Sequence, residues 1–146
     1  MPIISITRLH LRSLRYMPML SVFTLGSALQ ARRSDGFLGG LLGGDAERGA
    51  WTMTAWRDEA AMRSFRNIGI HKKAMPHLLN WCDEASFAHW QQTDATLPAP
   101  DEAHRRMRAE GRLSKVCHPS PAHAAGETTS KSLPKGALRL VPRAKQ

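Results

Sequence analysis

The chain has 146 residues, 42% of them apolar, with two cysteines and a formal charge of +9. That is one domain's worth of chain with material for a modest core. Cys82 and Cys117 cannot build a disulfide framework and lack zinc spacing, so they read as two reduced thiols of a cytoplasmic protein.

Residues 3–11 (IISITRLHL) place Ile4 and Ile6 on one side and Ile3, Leu9 and Leu11 on the other. That suits a strand with both faces partly covered. The apolar run 16–29 follows Arg8, Arg12 and Arg15 and ends in SALQA (27–31), an arrangement that imitates a secretory leader. Pro18, Ser21, Thr24 and Ser27 interrupt the apolar run, and it is too short to span a membrane. Leu20, Phe23, Thr24, Ser27 and Ala28 fall at helical spacing instead, with Pro18 in the first turn and Arg32 and Arg33 at the C-terminal end of the dipole.

Residues 36–44 (GFLGGLLGG) carry neither a Walker lysine nor a G-x-G-x-x-G spacing. The paired glycines predict a strand approached closely by another backbone, or one carrying a bulge. Residues 49–57 form the clearest strand, with Trp51, Met53 and Ala55 pointing one way and Thr52, Thr54 and Trp56 the other. Asp58 caps the next helix, Glu59 favours its positive end, and Ala61, Met62 and Phe65 form its inward stripe. Asn67 and Gly69 break it. A second helical run extends from His71 to Cys82, then a strand over 84–93, then a charged helix from Asp101 to Arg112.

Residues 114–146 contain four prolines and no aromatic side chain, and carry six Lys/Arg against Glu127. Their net +5 leaves +4 for residues 1–113. Such a composition predicts a globular domain over 1–113 and a basic, mostly disordered tail over 114–146. A basic tail attracts anionic surfaces without specificity. No signature of specific nucleic-acid recognition accompanies it.

The element order of strand, helix, strand, strand, helix, strand is that of an α+β ferredoxin-like βαββαβ sheet with helices on one face. The other face would remain apolar and uncovered, which predicts a face-to-face homodimer.

His71 is the leading chemical candidate. At about 100° per residue, Ala74, Met75, Leu78, Leu79 and Cys82 all lie within about 80° of it, so it points inward. Two readings stay open: a core histidine bonded to a backbone carbonyl, or a buried imidazole that titrates near neutrality. His77 lies about 240° around the wheel, which rules against a His71–His77 metal pair. No metal cluster, Ser–His–Asp set or carboxylate pair is distinguishable. Whether His89 or Trp90 faces the helices depends on register, and His10, His104, His118 and His123 read as surface or tail residues. The tryptophans offer either core packing or an apolar pocket wall.

The stretch WTMTAWRDEAAMRSFRNIGIHKKAM resembles the antibiotic-biosynthesis-monooxygenase-like proteins of the dimeric α/β barrel superfamily. It is similar to DUF3291-like, spheroidene-monooxygenase-related members. The pattern is a W-T-x-S/T-x-W strand, a D/E-E-x-A-M-x-x-F helix and a bend followed by H-x-x-A-M. It falls here on Trp51, Thr52, Thr54, Trp56, Glu59, Ala61, Met62, Phe65, Gly69, His71, Ala74 and Met75. The resemblance implies a homodimeric barrel binding a small hydrophobic aromatic or polyene molecule between sheet and helices. It further implies monooxygenase-like oxidation without a cofactor, or haem ligated by His71. His71 is then the catalytic candidate, and Trp51, Trp56, Phe65 and Met75 the candidates for contacting substrate.

Overall fold

A computed structural model describes residues 1–143, so residues 144–146 of the expected tail lie outside the described residues. Four strands make the frame: β1 (Ile3–Leu11), β2 (Phe37–Gly44), β3 (Ala50–Trp56) and β4 (Cys82–Gln91). Three helices join them: α1 (Met17–Arg33), α2 (Glu59–Arg66) and α3 (Gly69–Trp81). β1 and β3 are the central pair, flanked by β4 and β2, and each neighbouring pair is antiparallel. This is the split βαβ arrangement of a ferredoxin-like α+β fold.

The local signals act as expected. Asp58 adopts extended geometry and its Oδ1 accepts from the Ala61 amide at 2.8 Å, capping α2. Gly69 opens α3 at a φ of +65°, the left-handed conformation that few side chains tolerate. Pro76 sits inside α3 without ending it. Gly43 serves a close approach: a Cβ there would collide with the Lys135 carbonyl oxygen.

Strand alternation sorts the core into two clusters, one on each side of the sheet. Ile3, Phe37 and Trp56 face Ala28 and Ala31 of α1 and Ala61, Met62 and Phe65 of α2. On the other side, Ile4, Ile6, Trp51, Met53, Ala55, Ala88 and Trp90 pack with Ala103 and Met107 of α4 (Pro100–Glu110). Register assigns Trp90 to the α4 side, opposite Ile4, and His89 to the α1–α3 side, opposite Ser5, where it remains exposed.

The reading of residues 114–146 as mostly disordered is corrected for the described part. After α4 come β5 (Arg112–Leu113), α5 (Pro121–Ala124) and β6 (Lys135–Leu140). β5 extends the sheet beyond β4, and β6 extends it beyond β2. Between them the chain is tied to the sheet and to α4: Ser86 Oγ donates to the Thr128 carbonyl at 2.6 Å, and Thr128 Oγ1 donates to that of Met107 at 2.7 Å. Pro134 is fully buried. Composition misjudged this segment because strand pairing uses main-chain groups that every residue but proline offers in full.

The expectation of an open apolar face awaiting a second copy also meets a correction. Ile4, Ile6 and Ala55 have no exposure at all within one chain. The protein's own α4 and the segment after it cover the face that a second sheet was expected to cover.

Candidate functional site

The sequence candidates divide between the two faces. Trp56, Phe65 and His71 come together on the α1–α3 side in an aromatic row. Phe37 meets Trp56 at 5.3 Å between ring centroids, Trp56 stacks on Phe65 at 5.0 Å, and Phe65 meets His71 at 4.8 Å. β3 delivers Trp56, the inward stripe of α2 delivers Phe65, and the first turn of α3 delivers His71. Trp56 Nε1 donates to Thr54 Oγ1 at 2.9 Å, which fixes the indole. The His71 amide donates to Gln30 Oε1 at 3.2 Å, tying the start of α3 to α1.

The His71 side chain is half-buried, and its Nδ1 is buried with no hydrogen-bond partner. Burial depresses its pKa below the ordinary histidine value. The Arg66 backbone carbonyl, which the ring approaches without meeting hydrogen-bond geometry, partly opposes that, and the Arg66 charge adds to it. The ring is therefore neutral at pH 7, with nitrogen lone-pair chemistry available.

Met75 is exposed on α3 and Trp51 lies on the opposite face of the sheet, so the four proposed contact residues do not share one pocket. An open cleft of about 850 Å³ runs between α1 and α2, lined by Leu29, Gln30, Phe65, Ile68 and Ile70 among others. His71 is not in its lining.

Trp51 belongs to a buried polar network that the sequence reading did not single out. Its Nε1 donates to Asp45 Oδ2 at 2.7 Å, and Arg8 Nε donates to the same oxygen at 2.7 Å. Both charged side chains are at most 4% exposed. Burial alone would raise the Asp45 pKa; hydrogen bonds from Arg8, Trp51 and the Gly49 amide outweigh it and hold the carboxyl at about 2. Gly49 is required beside them, because a Cβ there would collide with Asp45 Oδ2. The available signal was Arg8 itself, which continues the inward series Ile4, Ile6 on β1.

The network runs on to Glu84 Oε2, 3.3 Å from Arg8, and to His10, whose Nδ1 lies 2.6 Å from Asp83 Oδ1 and 3.8 Å from Glu84 Oε2. His10, Asp83 and Glu84 are the one grouping among the described residues with metal-ligand proximity. The Arg8 guanidinium beside Glu84 already supplies positive charge there. His104 and His123, expected at the surface or in the tail, are buried, and His104 Nε2 lies 2.6 Å from the Ser130 carbonyl oxygen.

A haem, which the family resemblance implies as one occupant, does not fit these residues. Its iron needs an imidazole nitrogen facing an open slot, and the cleft between α1 and α2 does not offer one, because His71 lies outside its lining.

No family model matches the chain, and no curated protein does. Solved structures share its fold at low identity. Rv0793 from Mycobacterium tuberculosis aligns with a TM-score of 0.59 at 14% identity, over 64% of this chain and 97% of that one. SnoaB from Streptomyces nogalater, a cofactor-independent oxygenase, aligns at 0.53 and 14%, over 67% and 98%. An antibiotic biosynthesis monooxygenase candidate from Bacteroides thetaiotaomicron aligns at 0.56 and 15%, over 67% and 95%. The chain thus has the ferredoxin-like fold of the antibiotic-biosynthesis-monooxygenase-like proteins. About a third of its length lies outside each of these alignments.

Proposed function

We propose that this chain is a monooxygenase-like protein that holds a hydrophobic aromatic or polyene molecule between the sheet and α1–α3, with neutral His71 as base or hydrogen-bond partner. The observation that carries the reading is His71 Nδ1, buried without a partner at the end of the Trp56–Phe65 aromatic row. Such an unpaired group costs about 1–3 kcal/mol, which a substrate hydroxyl recovers once Phe65, packed against the ring, swings aside to admit it. Trp56 and Phe65 are the apolar walls, and Met75 contributes at the rim. Trp51 has a structural role on the other face. The likeness to a cofactor-independent oxygenase supports this chemistry. The finer kinship to DUF3291-like and spheroidene-monooxygenase-related proteins is part of the same proposal and rests on the W-T-x-T-x-W and H-x-x-A-M patterns.

In this reading His71 accepts a proton from an electron-rich phenol or its keto form. The resulting anion gives its electrons to dioxygen and bonds to it, forming a hydroperoxide. Loss of water leaves a quinone: one oxygen atom stays in the product and the other departs in the water, with the His71 proton returned to it. The apolar surroundings exclude bulk water from the anion.

Anthrone in air is a suitable probe, followed by quinone absorbance. His71→Ala is expected to slow turnover about 100-fold or more while the circular dichroism spectrum is retained. Equal rates would overturn the proposal. Hemin titration is expected to give no one-equivalent Soret shift that depends on His71. The enclosure of Nδ1 favours a second reading, a non-catalytic small-molecule-binding protein of the same fold. In that case His71→Ala lowers the melting temperature and neither protein turns anthrone over.

A further inference from the structure

The outer surface of α1 is apolar where a surface helix is ordinarily polar. At 100° per residue, Pro18, Val22, Leu25, Leu29 and Arg33 form one stripe. It lies opposite the buried Leu20, Ala28 and Ala31. Val22, Leu25 and Leu29 are 58%, 57% and 51% exposed. A single exposed leucine needs no explanation, but an aliphatic row over successive turns asks for a covering surface.

Charge identifies what covers it. Neither α1 nor α3 contains an Asp or Glu. Arg15 stands before the N-terminal end of the stripe, and Lys72 and Lys73 are exposed on neighbouring α3. At the C-terminal end Leu29 shares a shallow hollow with Arg32, Arg33 and Arg143. A second copy of the same face would bring cations against cations, with no carboxylate on either helix to answer them. The stripe itself offers only Pro, Val and Leu, without the aromatic anchors that concentrate protein–protein binding energy. Aliphatic side chains bordered by Lys and Arg match the acyl boundary and phosphate layer of a lipid leaflet.

We propose that the α1 face docks on an anionic phospholipid bilayer. Val22, Leu25 and Leu29 enter the acyl boundary, and Arg15, Arg32, Arg33 and Lys73 meet lipid phosphates. The helix lies along the surface; no described helix is long and apolar enough to cross a membrane. The cleft between α1 and α2 shares Leu29 and Arg33 with this face, so an apolar ligand dissolved in the leaflet reaches it directly. Docking does not depend on the proposed oxidation, and its test involves no turnover.

The full chain is mixed with vesicles of phosphatidylcholine, or of equimolar phosphatidylcholine and phosphatidylglycerol, and bound protein is measured by co-sedimentation. Partition is expected to be about 10-fold or more in favour of the anionic vesicles and to weaken with added salt. The exposed double variant Leu25→Asp/Leu29→Asp is expected to lose most of it. Leu25→Gln/Leu29→Gln, which keeps helix propensity and charge, is expected to lose a smaller share and guards against misfolding. Equal partition to both vesicle types would overturn the proposal. So would undiminished binding by both double variants, which would assign the attraction to the basic C-terminal segment alone. A full chain that sediments as a dimer and becomes monomeric on Leu25→Asp/Leu29→Asp would show a second copy on this face, and would overturn it as well.

Discussion

Asp45 illustrates how one buried residue organises one end of the sheet. Its Oδ2 accepts from Arg8 and Trp51, and its Oδ1 from the amides of Glu47 and Gly49. Asp45→Asn keeps the shape but leaves the Arg8 guanidinium buried with Glu84 as its remaining partner. The expected loss is about 3–5 kcal/mol, the cost of breaking a buried pair from one side, read by urea denaturation. The carboxyl's folded pKa of about 2 lies below the ordinary value of 3.8. Its stabilisation is therefore complete above the unfolded value and is lost as pH falls from there through about 2. Wild-type stability is expected to drop across that window and Asp45→Asn stability to change less. His71 follows the same sign at higher pH. Its pKa is depressed, so its contribution is full above the ordinary histidine value and declines as acidification charges the ring. Its inward direction was legible in the α3 pattern, whereas the missing partner of Nδ1 was not, since hydrogen bonding depends on atoms from three elements.

At the scale of elements, β3 and α2 were readable because each carries its own information: alternation in one, a cap and a 3.6-residue stripe in the other. β6 was not. Its residues Lys135–Leu140 are mostly exposed, and what holds them is the ladder to β2 with Leu140 as the apolar anchor. That ladder requires glycine at position 43, where a side chain would collide with the Lys135 backbone. Gly43→Ala is therefore expected to detach β6 while leaving the central strands paired. Amide exchange is expected to speed up at Gly136–Leu140 and stay slow at Met53 and Ile6; equal protection throughout would refute the role given to this glycine. The short reach of β5 and the pairing of β6 also cover both edges of the original four strands, which are otherwise sites for unwanted strand addition.

The whole molecule departs from the simple four-stranded frame in how its second face is closed. Ile4, Ile6, Met53, Ala55 and Ala88 bury themselves under Ala103 and Met107 of α4. Each large apolar side chain so covered contributes roughly 1.5–3 kcal/mol. The full chain is expected to sediment in dilute, lipid-free buffer near its monomer mass of 16.2 kDa. A chain ending at residue 98 uncovers that cluster and is expected to self-associate. A full chain that is a tight dimer, together with a truncated one that stays monomeric, would contradict this account.

Local sequence determined the strands and helices of the ferredoxin-like core, the cap on α2, the opposite facing of Trp51 and Trp56, and the inward direction of His71. Each depends on periodicity or on neighbours within one turn, and both are written along the chain. Only the tertiary structure decided that Trp51 shares a buried carboxylate with Arg8, and that Arg8 finds Asp45 thirty-seven positions away. It also decided that a proline-containing basic segment supplies a sixth strand and that α4 closes the face a second copy was expected to close. These outcomes depend on contacts between residues far apart in sequence, whose partners no window of the chain contains.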